Sequence, residues 1–148
     1  MTIKKANKED LEQLTILFDQ YRQFYGKETD LTGAKLFLTE RIVNQDSEIY
    51  VGENKEGLLT GFVQLYPLFS STRMKKYWLL NDLFVNVTFR GQGISVQLIE
   101  RAKKLVRDTH ACGMYLETEK TNVVGNNLYP KAGFEFNDYA NFYEWNNE

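Results

Sequence analysis

Apolar residues recur at three- and four-residue spacing through Leu11, Leu14, Leu17, Phe18, Tyr21, Phe24 and Tyr25. That period places them on one stripe of an amphipathic helix. Asn7 precedes the stripe as an N-cap and Gly26 follows it as a left-handed stop. Before it, Thr2 to Ala6 reads as a short strand. A second helix is expected after Asp30, through Ala34, Leu38 and Ile42 to about Asn44, with Gly33 weakening its first turn. Glu48 to Glu53 and Leu58 to Tyr66 read as an antiparallel hairpin joined by the turn Asn54-Lys55-Glu56-Gly57, the second strand ending at Pro67. Tyr77 to Val87 is continuously apolar, which predicts a central strand buried on both faces. A helix with Ile94, Leu98, Ala102, Leu105 and Val106 on one side follows. Met114 to Thr118 predicts a short strand, Asn122 or its neighbours open a short helix ending at Ala132-Gly133, and Phe134 to Asn137 and Asn141 to Trp145 predict two last strands.

The resulting expectation is a mixed α/β (α+β) domain over residues 1–148. A mostly antiparallel sheet of about seven strands is flanked by about four helices, in the order β-α-α-β-β-β-α-β-α-β-β. No linker, repeat or like-charge block marks a domain boundary.

Composition narrows the chemistry. The 148 residues are 43% hydrophobic and 26% charged, with a net charge of −2, as in a chain able to bury its own core. No apolar run reaches the about 20 residues needed to cross a bilayer, and Met1 to Asp10 carries charges where a signal peptide needs an apolar stretch. A cytoplasmic protein without a membrane partner is expected. One cysteine, Cys112, and one histidine, His110, leave no cysteine-cluster zinc site and few histidine-based ones, so no metal is expected. The acidic balance disfavours a phosphate-tracking surface, so no nucleic-acid partner is expected.

The most informative stretch is Asn81-Asp82-Leu83-Phe84-Val85-Asn86-Val87-Thr88-Phe89-Arg90-Gly91-Gln92-Gly93-Ile94-Ser95, a strand delivered into a helix start through two glycines. Without Cβ atoms, Gly91 and Gly93 let backbone amides approach an anion, and the helix N-terminus favours a phosphate there. A plain turn is the other reading of the same residues. No Gly-Lys-Ser/Thr follows, so this is not a Walker loop. No third glycine arrives where a dinucleotide fingerprint needs one.

Arg90, Gly93 and Ser95 match a motif of Arg or Gln, two residues, Gly, one residue, then Gly or Ala, with Ser95 a departure. Asn122, Gly125, Leu128, Tyr129, Gly133 and Phe134 match a second motif, with Gly125 where Ala is usual. In this order and spacing the sequence resembles the GNAT superfamily of acyl-CoA-dependent N-acetyltransferases. Tyr21 to Gly26 and Gln64 to Ser71 are also similar to members grouped with the histone and polyamine acetyltransferases.

The resemblance implies acetyl-CoA as co-substrate and direct transfer of its acetyl group, in a ternary complex, to a primary amine of a small molecule or a lysine-like acceptor. A non-catalytic acyl-CoA-binding regulatory module is the alternative. It further implies a bulged strand before the glycine loop, splayed from the next strand so that pantetheine lies between them. The cofactor-binding residues would be Phe84, Val85, Arg90, Gly91, Gln92, Gly93, Ile94, Ser95 and Asn122. Tyr129 would give a proton to the departing thiolate.

Asp82 and Glu117, on the two presumed flanking strands, are the candidate general bases. For both, a solvated or hydrogen-bonded carboxylate is the competing reading. Tyr21, Tyr25, Tyr66 and Phe69, with Trp78, either form an aromatic pocket for a cationic amine or pack the core. Arg101, Lys103, Lys104 and Arg107 either meet the cofactor's 3′-phosphate or form an outer helix face. Cys112 is expected to be a structural thiol rather than an acyl-carrying nucleophile, and His110, near a helix C-terminus, a surface residue favoured by the dipole. The aromatic strand Asn141 to Trp145 is expected to complete a homodimer across a two-fold axis.

Overall fold

Between Leu59 and Leu65 every residue is buried, including Thr60 and Gln64. This stretch belongs to the middle strand of a five-stranded sheet in a computed structural model that describes residues 1–147. The chain divides into two compact units, Met1–Glu117 and Thr118–Glu148.

In the first unit the elements run β1 (Thr2–Lys5), α1 (Leu11–Phe24), α2 (Leu31–Asn44), β2 (Glu48–Glu53), β3 (Leu59–Ser70), β4 (Lys75–Val85), α3 (Ile94–Asp108) and β5 (Met114–Tyr115). The strands lie in sequence order, antiparallel from β1 to β4, with β5 parallel to β4. The second unit contains α4 (Val123–Lys131).

The sheet is covered on both faces. Ile49, Val51, Phe62 and Phe84 meet Leu14, Leu17, Phe18, Ala34 and Leu38 of α1 and α2 in one core. Tyr50 alternates to the opposite face, where the Arg101 guanidinium of α3 lies 3.9 Å from its ring centroid. On α3, Ile94, Leu98, Ile99, Ala102 and Leu105 are buried, and the Trp78 indole donates to Thr109 Oγ1 at 2.9 Å. Arg101 therefore faces the sheet rather than the outer face, while Lys103 and Lys104 pair along the helix with Glu100 and Asp108.

Local chemistry accounts for the helix ends. Asn7 caps a 3-10 turn at Lys8–Asp10 that leads into α1, with Asp10 reaching back to the Asn7 amide. Gly26 takes the left-handed conformation beyond α1. At α2, Asp30 accepts from the Gly33 amide at 2.9 Å, and a Cβ on Gly33 would collide with that carboxylate. The glycine expected to weaken this turn is what lets the cap form.

Three expectations are corrected. The sheet has five strands, not about seven: Phe134 to Asn137 and Asn141 to Trp145 form no ladder among the described residues, because aromatic β-propensity makes a strand only where an edge pairs with it. β3, not β4, is the central, most buried strand, since β5 pairs with β4 over only two residues. β3 also runs past Pro67 to Ser70: beyond Glu48↔Leu65 it has left β2, so the missing proline N–H faces no ladder on that side. No helix among the described residues is long and apolar enough to cross a membrane.

The link from α1 to α2 is fastened by Asp19, which is buried and accepts from Thr29 Oγ1 at 2.6 Å and from the Asp30 amide at 2.7 Å. The Asp30 amide, then the Thr29 hydroxyl, hold its pKa below the usual carboxylate value. Such a group stabilises the fold above its unfolded pKa, and the contribution is lost as pH falls through its lower folded pKa. Asp19→Asn is expected to cost about 1–3 kcal/mol in urea unfolding at pH 7. The difference from the parent should shrink below about pH 4; an undiminished gap at pH 3 would contradict this assignment.

Candidate active site

The loop between β4 and α3 starts where β4 ends. Asn86 caps a 3-10 turn at Val87–Phe89 by accepting from the Thr88 amide at 2.9 Å. Arg90 then folds back: its Nε donates to Val85 O at 2.9 Å, with the guanidinium 5.5 Å from the Phe84 ring centroid. Gly91 and Gly93 follow at φ +76° and +75°, and a Cβ built on either meets nothing within 4 Å. Gly93 is the N-cap of α3 and supplies no side-chain cap, so the first-turn amides lack the usual side-chain acceptor. The Ile94 side chain is 2% exposed and anchors this helix end in the core; Gln92 lies on the surface and Ser95 is half-buried. The turn thus combines a dipole end, uncapped amides and open space, which fits an anion such as a diphosphate.

β4 reaches this turn along a free edge. It pairs with β5 only at Trp78↔Met114 and Leu79↔Tyr115, whereas its pairing with β3 continues to Gly61↔Val85. From Leu80 to Val85 no strand among the described residues lies on the β5 side. The register with β3 shifts there too: Leu65 pairs with Leu80 and Gln64 with Asp82, leaving Asn81 as an extra residue. A bulge bends its strand and raises the local twist, and this one falls just past Leu79, where the pairing with β5 ends. Gly61 permits the close approach at the far end, since a Cβ there would lie 2.6 Å from Phe84 O.

Asp82 follows the bulge and is 4% exposed. Gln64 Nε2 donates to its Oδ2 at 2.6 Å and Asn81 Nδ2 to its Oδ1 at 3.0 Å. Gln64 in turn accepts from Ser47 Oγ at 2.9 Å. Burial pushes the Asp82 carboxyl up, opposed by hydrogen bonds from Gln64, Tyr21 and Asn81. The Tyr21 hydroxyl also donates to Asn81 O at 3.4 Å.

The aromatic candidates separate into three places. Tyr21 packs against Tyr25 at 5.1 Å, Phe62 at 5.8 Å and Phe84 at 6.3 Å between ring centroids, so it is part of the core and part of the polar cluster at once. Tyr66 is half-buried, and burial, then the Asp82 charge, move its phenol well above the ordinary value. Phe69 is 78% exposed and lies about 17 Å along β3 from Gln64 at ~3.4 Å per residue. Glu117 is exposed and falls two residues past the end of β5, which stops at Tyr115 rather than Thr118.

In the second unit, Asn122 caps α4 by accepting from the Gly125 amide at 3.1 Å and donates to Thr118 Oγ1 at 2.8 Å. A Cβ on Gly125 would lie 2.5 Å from Asn122 Nδ2 and 3.2 Å from Tyr129 Cε2, so glycine in place of the usual alanine accommodates this cap. The Tyr129 ring packs edge-on to Phe134 at 5.8 Å.

A strand with an extra residue, a free edge and a glycine-capped helix is the arrangement expected from the two motifs, and residues 12–134 match the profile described as the Acetyltransferase (GNAT) family. The chain belongs to the GNAT family. Among its relatives, the uncharacterized N-acetyltransferase YhfO of Bacillus subtilis (strain 168) is 40% identical over 135 residues, covering 91% of this chain and 90% of that protein. A probable acetyltransferase of Haemophilus influenzae is 29% identical over 144 residues, 97% of each chain. The crystal structure of a probable acetyltransferase superposes with a TM-score of 0.94 at 36% identity, covering 100% of this chain and 99% of that one. Family members use acetyl-CoA, and acetyltransferase activity follows from the membership.

Ser47, Gln64 and Gly61 were not singled out from sequence as site residues. Their signal was present: Gln64 is the one polar side chain in the apolar run Phe62-Val63-Gln64-Leu65, and a buried amide there needs partners.

The open loop makes Gly93→Val informative. Valine at φ +75° brings strain of about 1–2 kcal/mol and places methyl groups where the anion would sit. Calorimetry with acetyl-CoA should show at least tenfold weaker binding, about 1.4 kcal/mol. Gly57→Val, at φ +79° in the turn between β2 and β3 with equal free space, carries similar strain and should leave affinity unchanged. Equal losses in both variants would reject the cradle.

Proposed function

We propose that residues 1–148 act as one catalytic domain that transfers the acetyl group of acetyl-CoA directly to a primary amine of a small molecule or lysine-like acceptor, with donor and acceptor bound together. The observation that carries this reading is the uncapped glycine start of α3 at the end of the free β4 edge.

Acetyl-CoA supplies an acyl group already activated as a thioester. In this reading the backbone amides from Gly91 to Ser95 hold the diphosphate. Arg90 acts differently: its side chain is committed to Val85 O, so it fixes the β4 end rather than reaching for phosphate. An edge amide near Phe84 or Val85 stabilises negative charge as it develops on the acyl oxygen. Asn122 contacts the pantetheine arm while capping α4, and Tyr129 donates a proton to the leaving sulfur. With a thiol pKa of about 8.5, that proton is worth little near neutral pH, so Tyr129 contributes chiefly by positioning.

The acceptor proton is the costlier one. A lysine-like amine of pKa about 10.4 needs roughly 4.6 kcal/mol to be neutral at pH 7, whereas an α-amine near 7.7 needs about 1. Asp82 is the better placed of the two candidate bases, because burial raises its proton affinity. Burial also removes it from direct contact with solvent, so it acts through a bridging water or the Tyr21 hydroxyl. Glu117, exposed beyond β5, is the other candidate. Of the aromatic candidates, Tyr21 and Tyr25, whose ring centroids are 5.1 Å apart, offer ring faces to the cationic acceptor, while Phe69 lies too far along β3 to share that pocket.

A thiol-release screen of acetyl-CoA against amines of differing charge and length tests the activity; acetyl-CoA binding without release of thiol to any amine would favour the regulatory alternative. Asp82→Asn should lower kcat/KM by about 100-fold or more for a lysine-like amine and by much less for an α-amine. Equal losses on both would remove Asp82 as the base. Tyr129→Phe should preserve melting temperature and acetyl-CoA affinity while lowering kcat, and a fully active variant rejects its role. Cys112→Ala should retain full activity, because no acyl-cysteine intermediate is required.

A further inference from the structure

Position 64 holds an amide where its strand is otherwise apolar. Gln64 is 0% exposed, between Phe62 and Val63 on one side and Leu65 on the other, all of them fully buried. A buried amide is costly unless its donor and its acceptor are both bonded, so packing alone would favour another hydrophobic side chain there. The register shows what it meets. Gln64 pairs directly with Asp82, beside the extra residue of β4, and opposed residues on one face of a sheet touch. Its Nε2 donates to Asp82 Oδ2 at 2.6 Å, and its Oε1 accepts from Ser47 Oγ at 2.9 Å. A carboxylate only accepts, so the amide hydrogens face Asp82 and the carbonyl faces Ser47.

The side chains that bond Asp82 are neutral donors: Gln64, Tyr21 and Asn81. Asn81 is its neighbour in β4 and Tyr21 comes from α1, so Gln64 is the donor that β3 contributes, and its bond is shorter than that of Asn81, at 2.6 against 3.0 Å. Two phenols face the cluster, Tyr21 from α1 and Tyr66 from β3, and beyond Tyr66 stand Arg41 and Asp46, paired with each other. Phenols ordinarily titrate near pH 10, and Tyr66 is pushed higher, so at lower pH the cluster changes charge at Asp82. We infer that Gln64 is a positioning residue for the acetyl transfer: held in one orientation by Ser47, its amide keeps the buried Asp82 carboxylate ionised and in place. The inference rests on the reading of Asp82 as the base that takes the acceptor's proton. Burial disfavours the charge such a base needs, and the donors offset that effect. Removing the β3 donor leaves the burial and takes away part of the offset, so Asp82 is protonated at higher pH and is no longer a base there.

The test is Gln64→Met in the full-length chain, which keeps the length of the side chain and removes the donor. NMR titration of carboxyl-labelled aspartate, with the Asp82 signal assigned by Asp82→Asn, should show the Asp82 midpoint raised by at least about one pH unit, a tenfold change in proton affinity. The lower limb of the kcat/KM profile for a lysine-like amine should rise with it. A side chain that only packs would lower the melting temperature and move neither. An Asp82 midpoint that stays in place overturns the inference, whatever the activity does. A midpoint that moves while the limb stays put also removes the positioning role, and locates the failure in the reading of Asp82 as the base. Gln64→Glu carries the test where the methionine variant does not fold, since it keeps the size of the side chain and an oxygen for Ser47 to bond. Two facing carboxyls share one proton, so the limb should move up further, by about two units or more, and an unshifted limb there overturns the inference as well.

Discussion

The geometry of the site depends on β4 serving two neighbours unequally. It is hydrogen-bonded to β3 over nearly its whole length and to β5 over two residues. An unpaired strand edge is normally a liability, which proteins cover, charge or distort. The extra residue at Asn81 bends β4 at this point, and Arg90 fastens its end by bonding Val85 O. The edge is held open by a rigid framework, as main-chain recognition of a bound molecule requires.

Burial of Asp82 follows from the same distortion. The bulge brings Asp82 opposite Gln64 and sets Asn81 beside it, so a carboxylate enters a region that is otherwise apolar. Its oxygens are met by donors from β3, β4 and α1, and Gln64 can donate because Ser47 satisfies its carbonyl oxygen. A buried polar network specifies one arrangement only when each member is satisfied. This one ties the packing of α1 on the sheet to the position of the bulge.

Much of this was legible in the sequence. Helical spacing located α1 and α3, Asn7 and Gly26 bracketed α1 with its leading turn, Asp30 marked the start of α2, and Gly91 with Gly93 located the turn before α3. What could not be read depended on distant partners. The rank of β4 in the sheet is set by how short β5 is, and no residue of β4 encodes that. The strand-like residues of the tail satisfy every local rule, but a ladder also needs an edge, which pattern alone does not supply. The Asp82 cluster was half visible: the carboxylate was singled out, while Gln64 and Ser47 became its partners only once the β3–β4 register was fixed. Gly33 and Gly125 show a related limit, because local propensity counts both as weak helix formers although each makes room for a capping side chain.

The make-up of α4 has a consequence for heat tolerance. Its nine residues include two valines, a glycine, two asparagines and a proline, most of them poor helix formers, and much of its start is held by the Asn122 side chain. Such segments open at lower free energy than the body of a protein. On warming, this helix would fray before the sheet does, at temperatures where the body of the molecule is still intact, and would re-form on cooling.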